Sequence, residues 1–377
     1  MADPTSPAAG LEGVVVAESA ISYVDGQAGR LVYRGYDIED LAEHSTYEET
    51  VLLLLDGALP KRDALNAFRG ELAAARELDD EVLDLLHGFP ADADPMAALR
   101  TAVSAEGMFD PDAGAVDPAA TRRKAVRLIA RLPTLVAAFD RLRNGLEPVE
   151  PDDELSHAAN FLWMLSGEAP DPDDARALDV ALVLHAEHGM NASTFSARVT
   201  AATLSDLHAA VTSAVGTLAG PLHGGANAAV MRMLLDIDAR GVDPGEWVRE
   251  RLAAKERVMG FGHRVYKTMD PRAPVLRAMS QSLGERAGDL RWYELSEAVL
   301  AAMKEQKGLD PNVDFFSAST YHALGIPVDL FTPIFAISRV AGWVAHAEAQ
   351  LANNRLIRPR AKYVGERDLR YVPIDER

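Results

Sequence analysis

The chain has 377 residues, 57 acidic against 38 basic, a formal charge of −19 and 48% hydrophobic residues. That length and hydrophobicity suit a folded protein of roughly two or three domains and argue against disorder. The negative charge argues against sequence-independent binding of nucleic acid or anionic membranes, which needs a broad basic face, and the lack of cysteine excludes disulfides, thiolate catalysis and cysteine-ligated metal centres.

Seven of the basic residues are lysine and the rest arginine. Many carboxylates with few lysines suit a salt-rich cytosol, where screening removes self-repulsion, so a halophilic protein is expected. The opening "MADPTSPAAG" has neither a charged n-region nor an apolar h-region, and the longest aliphatic run, "VLLLL" at Val51 to Leu55, is too short to span a bilayer. The expectation is a soluble cytoplasmic protein.

In chain order, "EGVVVAES" and "AISYVDGQAGRLVYRG" carry β-branched runs around an Asp25-Gly26 turn, which predicts a small hairpin and little more. Everything after it reads as helix. "TRRKAVRLIARLPTLVAAFDRLRNG" is amphipathic, with a kink expected at Pro133 and a stop at Gly145. "PDPDDARALDVALVLHAEHG" opens on proline and acids and is expected to close on Gly189, which places His185 and His188 three apart on one helical face. That spacing fits a divalent-metal site or a polar lining to a cleft, although it is not HExxH and no third ligand is evident.

"SDLHAAVTSAVGTLAG" continues the helical pattern. "VDPGEWVRERLAAKERVMG" places Asp243 as N-cap, Pro244 at the first helical position and Glu246 three after the cap; "TPIFAISRVAGWVAHAEAQ" suggests the same device at Thr332 and Pro333. Glycine-rich breaks cluster in "GTLAGPLHGGAN", "MGFGH" and "ALGIP", which predicts a smaller domain inserted in a larger helical one, with glycines at the joints.

Three segments in that middle block are candidates for chemistry. In "GPLHGGAN", His223 sits among three glycines and one proline that forbid helix; read alone, it fits a ligand-facing turn or an ordinary surface loop. In "VMGFGHRVYKTMDPRAP", His263 lies just after Gly262, and Arg264, Lys267 and Arg272 follow; a solvated basic loop is the plain alternative. In "NVDFFSASTYHALGIP", Asp314 stands between Val313 and Phe315-Phe316, where lost hydration raises a carboxylate's pKa and basicity, or it is a helix cap. Together they supply a proton abstractor and two hydrogen-bond donors, a set suited to removing a proton next to a carbonyl.

Taken in order and spacing, "HAEHGMNAST", "GPLHGGAN", "VMGFGHRVYKTMDPRA", "VDFFSASTYHALGIP", "AISRVAGWVAH" and "RLIRPRAKYVG" resemble the citrate synthase family, and "GLEGVVVAESAISYVDGQAGRLVYRGYDIEDLAEHS" is similar to the front of its shorter archaeal and Gram-positive type. The resemblance covers nearly the whole chain. It implies an all-α fold in two domains: a large one from residues 1–219 and 325–377, and a small helical one from 220–324 inserted between them, with the hairpin as a minor element.

The resemblance implies condensation of acetyl-CoA with oxaloacetate and hydrolysis of citryl-CoA to citrate and CoA. Asp314 would abstract the methyl proton, His223 would bond the thioester oxygen, and His263 would polarise and protonate the oxaloacetate ketone. His188, Arg272 and Arg339 match the family's carboxylate clamp, and Arg358 matches a clamp residue supplied by the other subunit, with Arg360 a competing assignment. Glu256, Arg257, Val258, Met259 and Gly260 match the CoA adenine loop, and Lys267 is a candidate phosphate contact. A homodimer is therefore expected, with CoA as co-substrate, no permanently bound cofactor, no metal, and no nucleic-acid or membrane partner. The small domain is expected to close over oxaloacetate before acetyl-CoA binds. The rival readings are 2-methylcitrate synthase, which uses propionyl-CoA, and a non-catalytic helical interaction or metal protein.

Overall fold

The computed structural model describes residues 9–377; the sequence reading of residues 1–8 lies outside them. A three-stranded antiparallel sheet, β1 (Ser22–Asp25), β2 (Arg30–Tyr33) and β3 (Tyr36–Asp37), opens the fold. Helices α1 (Ile38–His44), α2 (Tyr47–Asp56), α3 (Arg62–Ala74), α4 (Asp80–His87), α5 (Pro95–Phe109), α6 (Pro118–Arg143), α7 (His157–Ser166), α8 (Pro172–His185), α9 (Ala192–Ala201) and α10 (Leu207–Leu218) follow. The middle block carries α11 (Ala226–Arg240), α12 (Pro244–Ala253), α13 (Ala273–Ala287), α14 (Arg291–Lys307) and α15 (Val313–Ala323), and α16 (Phe331–Ala352) returns from it. The architecture is all-α with a small sheet, as the sequence predicts.

An aspartate N-cap followed by proline starts α5, α6, α8 and α12. The carboxylate takes an orphan amide of the first turn, and proline's fixed φ costs nothing where its missing N–H has no partner. Asp243 caps α12 in this way, accepting from the Glu246 amide at 2.9 Å.

Three local expectations are corrected. The valine run Val14–Val16 forms no strand; it is exposed and lies along the wall of a cleft. Thr332 is not a cap, because α16 already begins at Phe331 and the Thr332 hydroxyl donates to the Gly224 carbonyl at 3.2 Å. Helix α8 ends at His185, not Gly189, so His185 and His188 share no helical face. His185 turns into the core, its Nδ1 2.7 Å from the Ala181 carbonyl and its ring against Phe335, while His188 lies in the following turn.

Helix α16 is the axis of the fold. It packs against α2, α6, α8, α9 and α10, and 89% of its most apolar stretch is buried inside the molecule. Its composition alone would suit a membrane span, but a helix apolar on every side also belongs at the centre of a large core. Helices α11 to α15 pack on one another, principally α13 and α11 on α15 and α12 on α14.

Buried carboxylates tie the first helices together. Glu48 on α2 accepts from the His157 amide at the start of α7, and Asp179 on α8 accepts from the Tyr47 amide at the start of α2, each at 2.9 Å. Arg176 holds the other Asp179 oxygen at 2.7 Å. Burial and the neighbouring Glu48 nevertheless push Asp179 from the ordinary 3.8 up to about 7. A carboxyl whose pKa is raised by folding stabilises the native state most below its unfolded value, and that contribution falls away as pH climbs through the folded value. Asp179→Asn is therefore expected to lose less thermal stability than the parent between pH 4 and pH 8. Parallel Tm-against-pH curves for the two proteins would contradict the raised pKa.

Candidate active site

A cleft of about 1530 Å³ gathers most of the residues singled out in the sequence. His188, His223, His263, Arg272, Asp314 and Arg339 all line it, although they come from five separate stretches of chain. Glu256 to Gly260 form part of its wall. Lys267 and Arg358 do not line it: both are exposed, and Arg358 lies in the irregular C-terminal segment after α16.

His223 stands in the turn between α10 and α11. The turn needs Gly224, where a Cβ would lie 2.4 Å from the Leu218 carbonyl oxygen. The Ser193 amide donates to His223 Nε2 at 3.3 Å, and Ser193 Oγ, itself held by the Trp343 indole at 3.0 Å, lies 2.8 Å from the same nitrogen. A ring nitrogen that accepts from a backbone amide carries no proton, so the neutral ring has its hydrogen on Nδ1. Burial, with a smaller push from Arg339, brings the His223 pKa down to about 4.

His263 is fixed by the same device in the opposite sense. Its Nδ1 accepts from the amides of Val265 at 3.0 Å and Tyr266 at 3.1 Å, so the proton of the neutral ring is on Nε2. The left-handed glycines Gly260 and Gly262 make the turn that presents it, and at Gly260 a side chain would also strike Phe315 and Val230. Burial and then Arg272 bring His263 down to about 4. His188 packs 5.2 Å from the His263 ring, its Nε2 is 3.2 Å from the Tyr266 hydroxyl, and burial drives its pKa well below the usual value.

Asp314 is the second residue of α15. The helix cap is Asn312, which accepts from the Asp314 amide at 3.0 Å, so the capping alternative for Asp314 falls. Its Oδ1 is buried with no hydrogen-bond partner among the described residues, and burial pushes its pKa up to about 7 against the pull of Arg272. A partly desolvated carboxylate of this kind is a stronger base than one in water.

Arg272 and Arg339 are 2% and 1% exposed. Asp270 grips Arg272 through Nε at 2.9 Å and Nη2 at 2.7 Å, and this pairing outweighs the cost of burial, so the Arg272 pKa is raised. Arg339 donates from Nε to the His185 carbonyl at 2.7 Å, lies over the Phe335 ring, and is pushed down to about 10 by burial.

Sequence reasoning missed Asp270, buried behind Arg272, and several residues of the cleft wall. Asp270 was legible, since an acid two residues before the arginine in "DPR" is within side-chain reach. Lys255, beside the matched loop, and Lys307, at the end of α14, also line the wall with Arg257 and Arg264. Nothing local in the sequence marks Lys307, which only the packing of α14 brings there.

The cleft thus joins a buried base, two neutral imidazole donors of defined tautomer and two buried guanidiniums, with further cations on its wall. That set can remove a proton next to a carbonyl and hold a small dianion.

Comparison with known proteins agrees. The family model described as citrate synthase, C-terminal domain, matches residues 10–360. The chain is 58% identical to the citrate synthase of Haloferax volcanii over 98% of both chains, whereas relatives named 2-methylcitrate synthase are 44% identical. The citrate synthase structure from Pyrobaculum aerophilum superposes with a TM-score of 0.92 at 41% identity, covering 100% of this chain and 97% of that one. A ternary complex of the Thermoplasma acidophilum citrate synthase with carboxymethyl coenzyme A and oxaloacetate superposes with a TM-score of 0.92 at 32% identity, covering 99% of this chain and 100% of that one. With its fold, its cleft and these relatives in agreement, the chain belongs to the citrate synthase family.

Proposed function

We propose that the cleft condenses acetyl-CoA with oxaloacetate and hydrolyses the citryl thioester to citrate and free CoA. The observation that carries this reading is the Asp314 carboxylate, one oxygen buried and unpartnered, in one cleft with two neutral histidine donors and two buried arginines. Asp314 takes a methyl proton of acetyl-CoA while His223 Nδ1–H donates to the thioester oxygen, on which charge develops. The enol carbon attacks the oxaloacetate ketone, and His263 Nε2–H donates to that oxygen and supplies the proton as the carbon–carbon bond forms. Water then cleaves the thioester. Such a preorganised donor at a developing oxyanion contributes roughly 3–4 kcal/mol.

His188, Arg272 and Arg339 hold the oxaloacetate carboxylates. Asp270 occupies two nitrogens of Arg272, which orients the fork and leaves Nη1 for a ligand. The loop from Glu256 to Gly260 takes the CoA adenine, and Lys255, Arg257, Arg264 and Lys307 face its phosphates. Lys267 is a weaker phosphate contact, since its side chain lies off the cleft wall. Residues 220–324 act as a small domain that closes on the remainder to exclude water.

The active unit is a homodimer in which Arg358 of one protomer completes its partner's carboxylate clamp. Support comes from the C-terminal segment, which follows α16 with no helix or strand until Ile374 and leaves Leu356, Tyr363, Val364 and Tyr371 more than half exposed on a single chain. A second copy is the natural cover for such side chains. The enzyme works in a salt-rich cytoplasm, where its −19 charge is screened.

Thiol release with oxaloacetate is expected to favour acetyl-CoA over propionyl-CoA in kcat/KM; the reverse preference would move the reading to 2-methylcitrate synthesis. Asp314→Asn should lower kcat by about 10²–10⁴-fold, and His223→Ala by about 10²–10³-fold.

Because Asp314 must be ionised and titrates at about 7, kcat/KM should fall with one-proton slope below that pH. The histidines, at about 4, stay neutral across that limb and add no second step. An acid limb centred at the ordinary carboxylate value would remove Asp314 as the base.

Mixing Arg358→Ala with Asp314→Asn subunits under exchange should restore activity that neither has alone. No recovery in proven mixed dimers would place Arg358 outside the shared site.

A further inference from the structure

The N-terminal hairpin has a part in the site that its sequence does not disclose. On one side its strands grip the turn that carries His188. Ser22 Oγ donates to the buried Glu187 carboxylate at 2.9 Å and accepts from the Gly189 amide at 3.1 Å, and the Tyr33 hydroxyl donates to the Glu187 carbonyl at 2.7 Å. On the other side its turn meets the segment that carries His263. The Lys267 amide donates to the Gly26 carbonyl at 2.7 Å.

The contact at the turn leaves no room for a side chain. A Cβ on Gly26 would lie 2.1 Å from the Val265 carbonyl oxygen, and one on Gly29 would lie 2.7 Å from Thr268 and 2.9 Å from the Met269 carbonyl oxygen. Gly29 is also left-handed, but Gly26 is not, so at Gly26 closeness of approach is the sole demand for glycine. Between these two grips stands Tyr266, 3% exposed, its ring 4.7 Å from His263 and 5.5 Å from His188. Its amide fixes His263 Nδ1 and its hydroxyl meets His188 Nε2.

We infer that the hairpin is a positioning element of the active site: with Gly26 and Ser22 as its positioning residues, it holds the His188 turn and the His263 segment in register for the oxaloacetate end of the cleft. The inference rests on the reaction proposed above. The two loops come from opposite sides of the α11–α15 block boundary, and the hairpin touches both.

Gly26→Ala must push the Val265–Met269 segment away, and a displacement of about 1 Å at reacting groups costs on the order of 10²-fold in rate. The expected result is a raised KM for oxaloacetate and a lowered kcat, with a smaller rise in the KM for acetyl-CoA, because the displaced segment carries only Lys267, the weaker of the proposed phosphate contacts. Gln27→Ala, an exposed neighbour in the same turn, should leave all three parameters unchanged.

Nitrogen NMR of the histidines supplies a readout independent of turnover: the His263 Nδ1 resonance, an acceptor from two amides in the parent, should shift in Gly26→Ala. If Gly26→Ala does not fold, Ser22→Ala, which removes two bonds to the His188 turn without adding bulk, should raise the oxaloacetate KM severalfold. A folded Gly26→Ala or Ser22→Ala protein with parental kinetics and an unmoved His263 resonance overturns the inference. If the parent itself releases no thiol, the proposed reaction fails, and the resonance still decides whether the hairpin positions His263.

Discussion

The cleft depends on one buried ion pair. Arg272 is a guanidinium almost without contact with water, and Asp270, 1% exposed, makes that burial tolerable by meeting it along one edge at hydrogen-bond distance. A lone buried charge costs several kcal/mol, and a pair of good geometry recovers much of that. Asp270 also accepts from the Val313 amide at 3.3 Å, which is the first residue of the helix carrying Asp314. The field of Arg272 then reaches His185, His188 and His263, adding to burial in keeping each neutral, and draws the Asp314 pKa down against the stronger lift of desolvation.

Neutral histidines are what the proposed chemistry needs. A charged imidazole beside Arg272 and Arg339 would be expensive, and a histidine with the wrong tautomer would present a lone pair to a carbonyl oxygen. Backbone amides settle the tautomers, two at His263 Nδ1 and one at His223 Nε2, and they do so in opposite senses. Backbone donors of this kind are held by the fold, so in the proposed reaction the two rings would arrive as oriented donors and need no reorganisation as charge develops on the substrate oxygen.

The overall charge of −19 and the positive cleft are compatible because the scales differ. Cations on the wall are local, and within a concave, poorly solvated site they act over a few ångströms, whereas the surface carboxylates are screened by salt. Specificity for an anionic substrate in an acidic protein is thus achieved by concentrating a few cations in one cleft.

The periodicity of apolar and polar residues, the Asp-Pro caps and the glycine breaks determine the helical class and some helix ends, such as the start of α12 at Asp243-Pro244, since these are local effects of backbone sterics and capping. The chemistry of the cleft was legible too: each of His223, His263 and Asp314 stands beside glycine or aromatic residues whose local demands mark an unusual site. Local signals erred where a distant contact decides. Helix α8 stops at His185 because the next residues are gripped by Ser22 and Tyr33, far away in sequence. The valine run Val14–Val16 has strand propensity but no partner strand, and Thr332 finds the Gly224 carbonyl in place of a cap. Lys307, the hairpin's close approach at Gly26 and the convergence of five stretches on one cleft were decided by tertiary packing alone, because helix and turn propensities act over a few residues and carry no information about which surfaces meet.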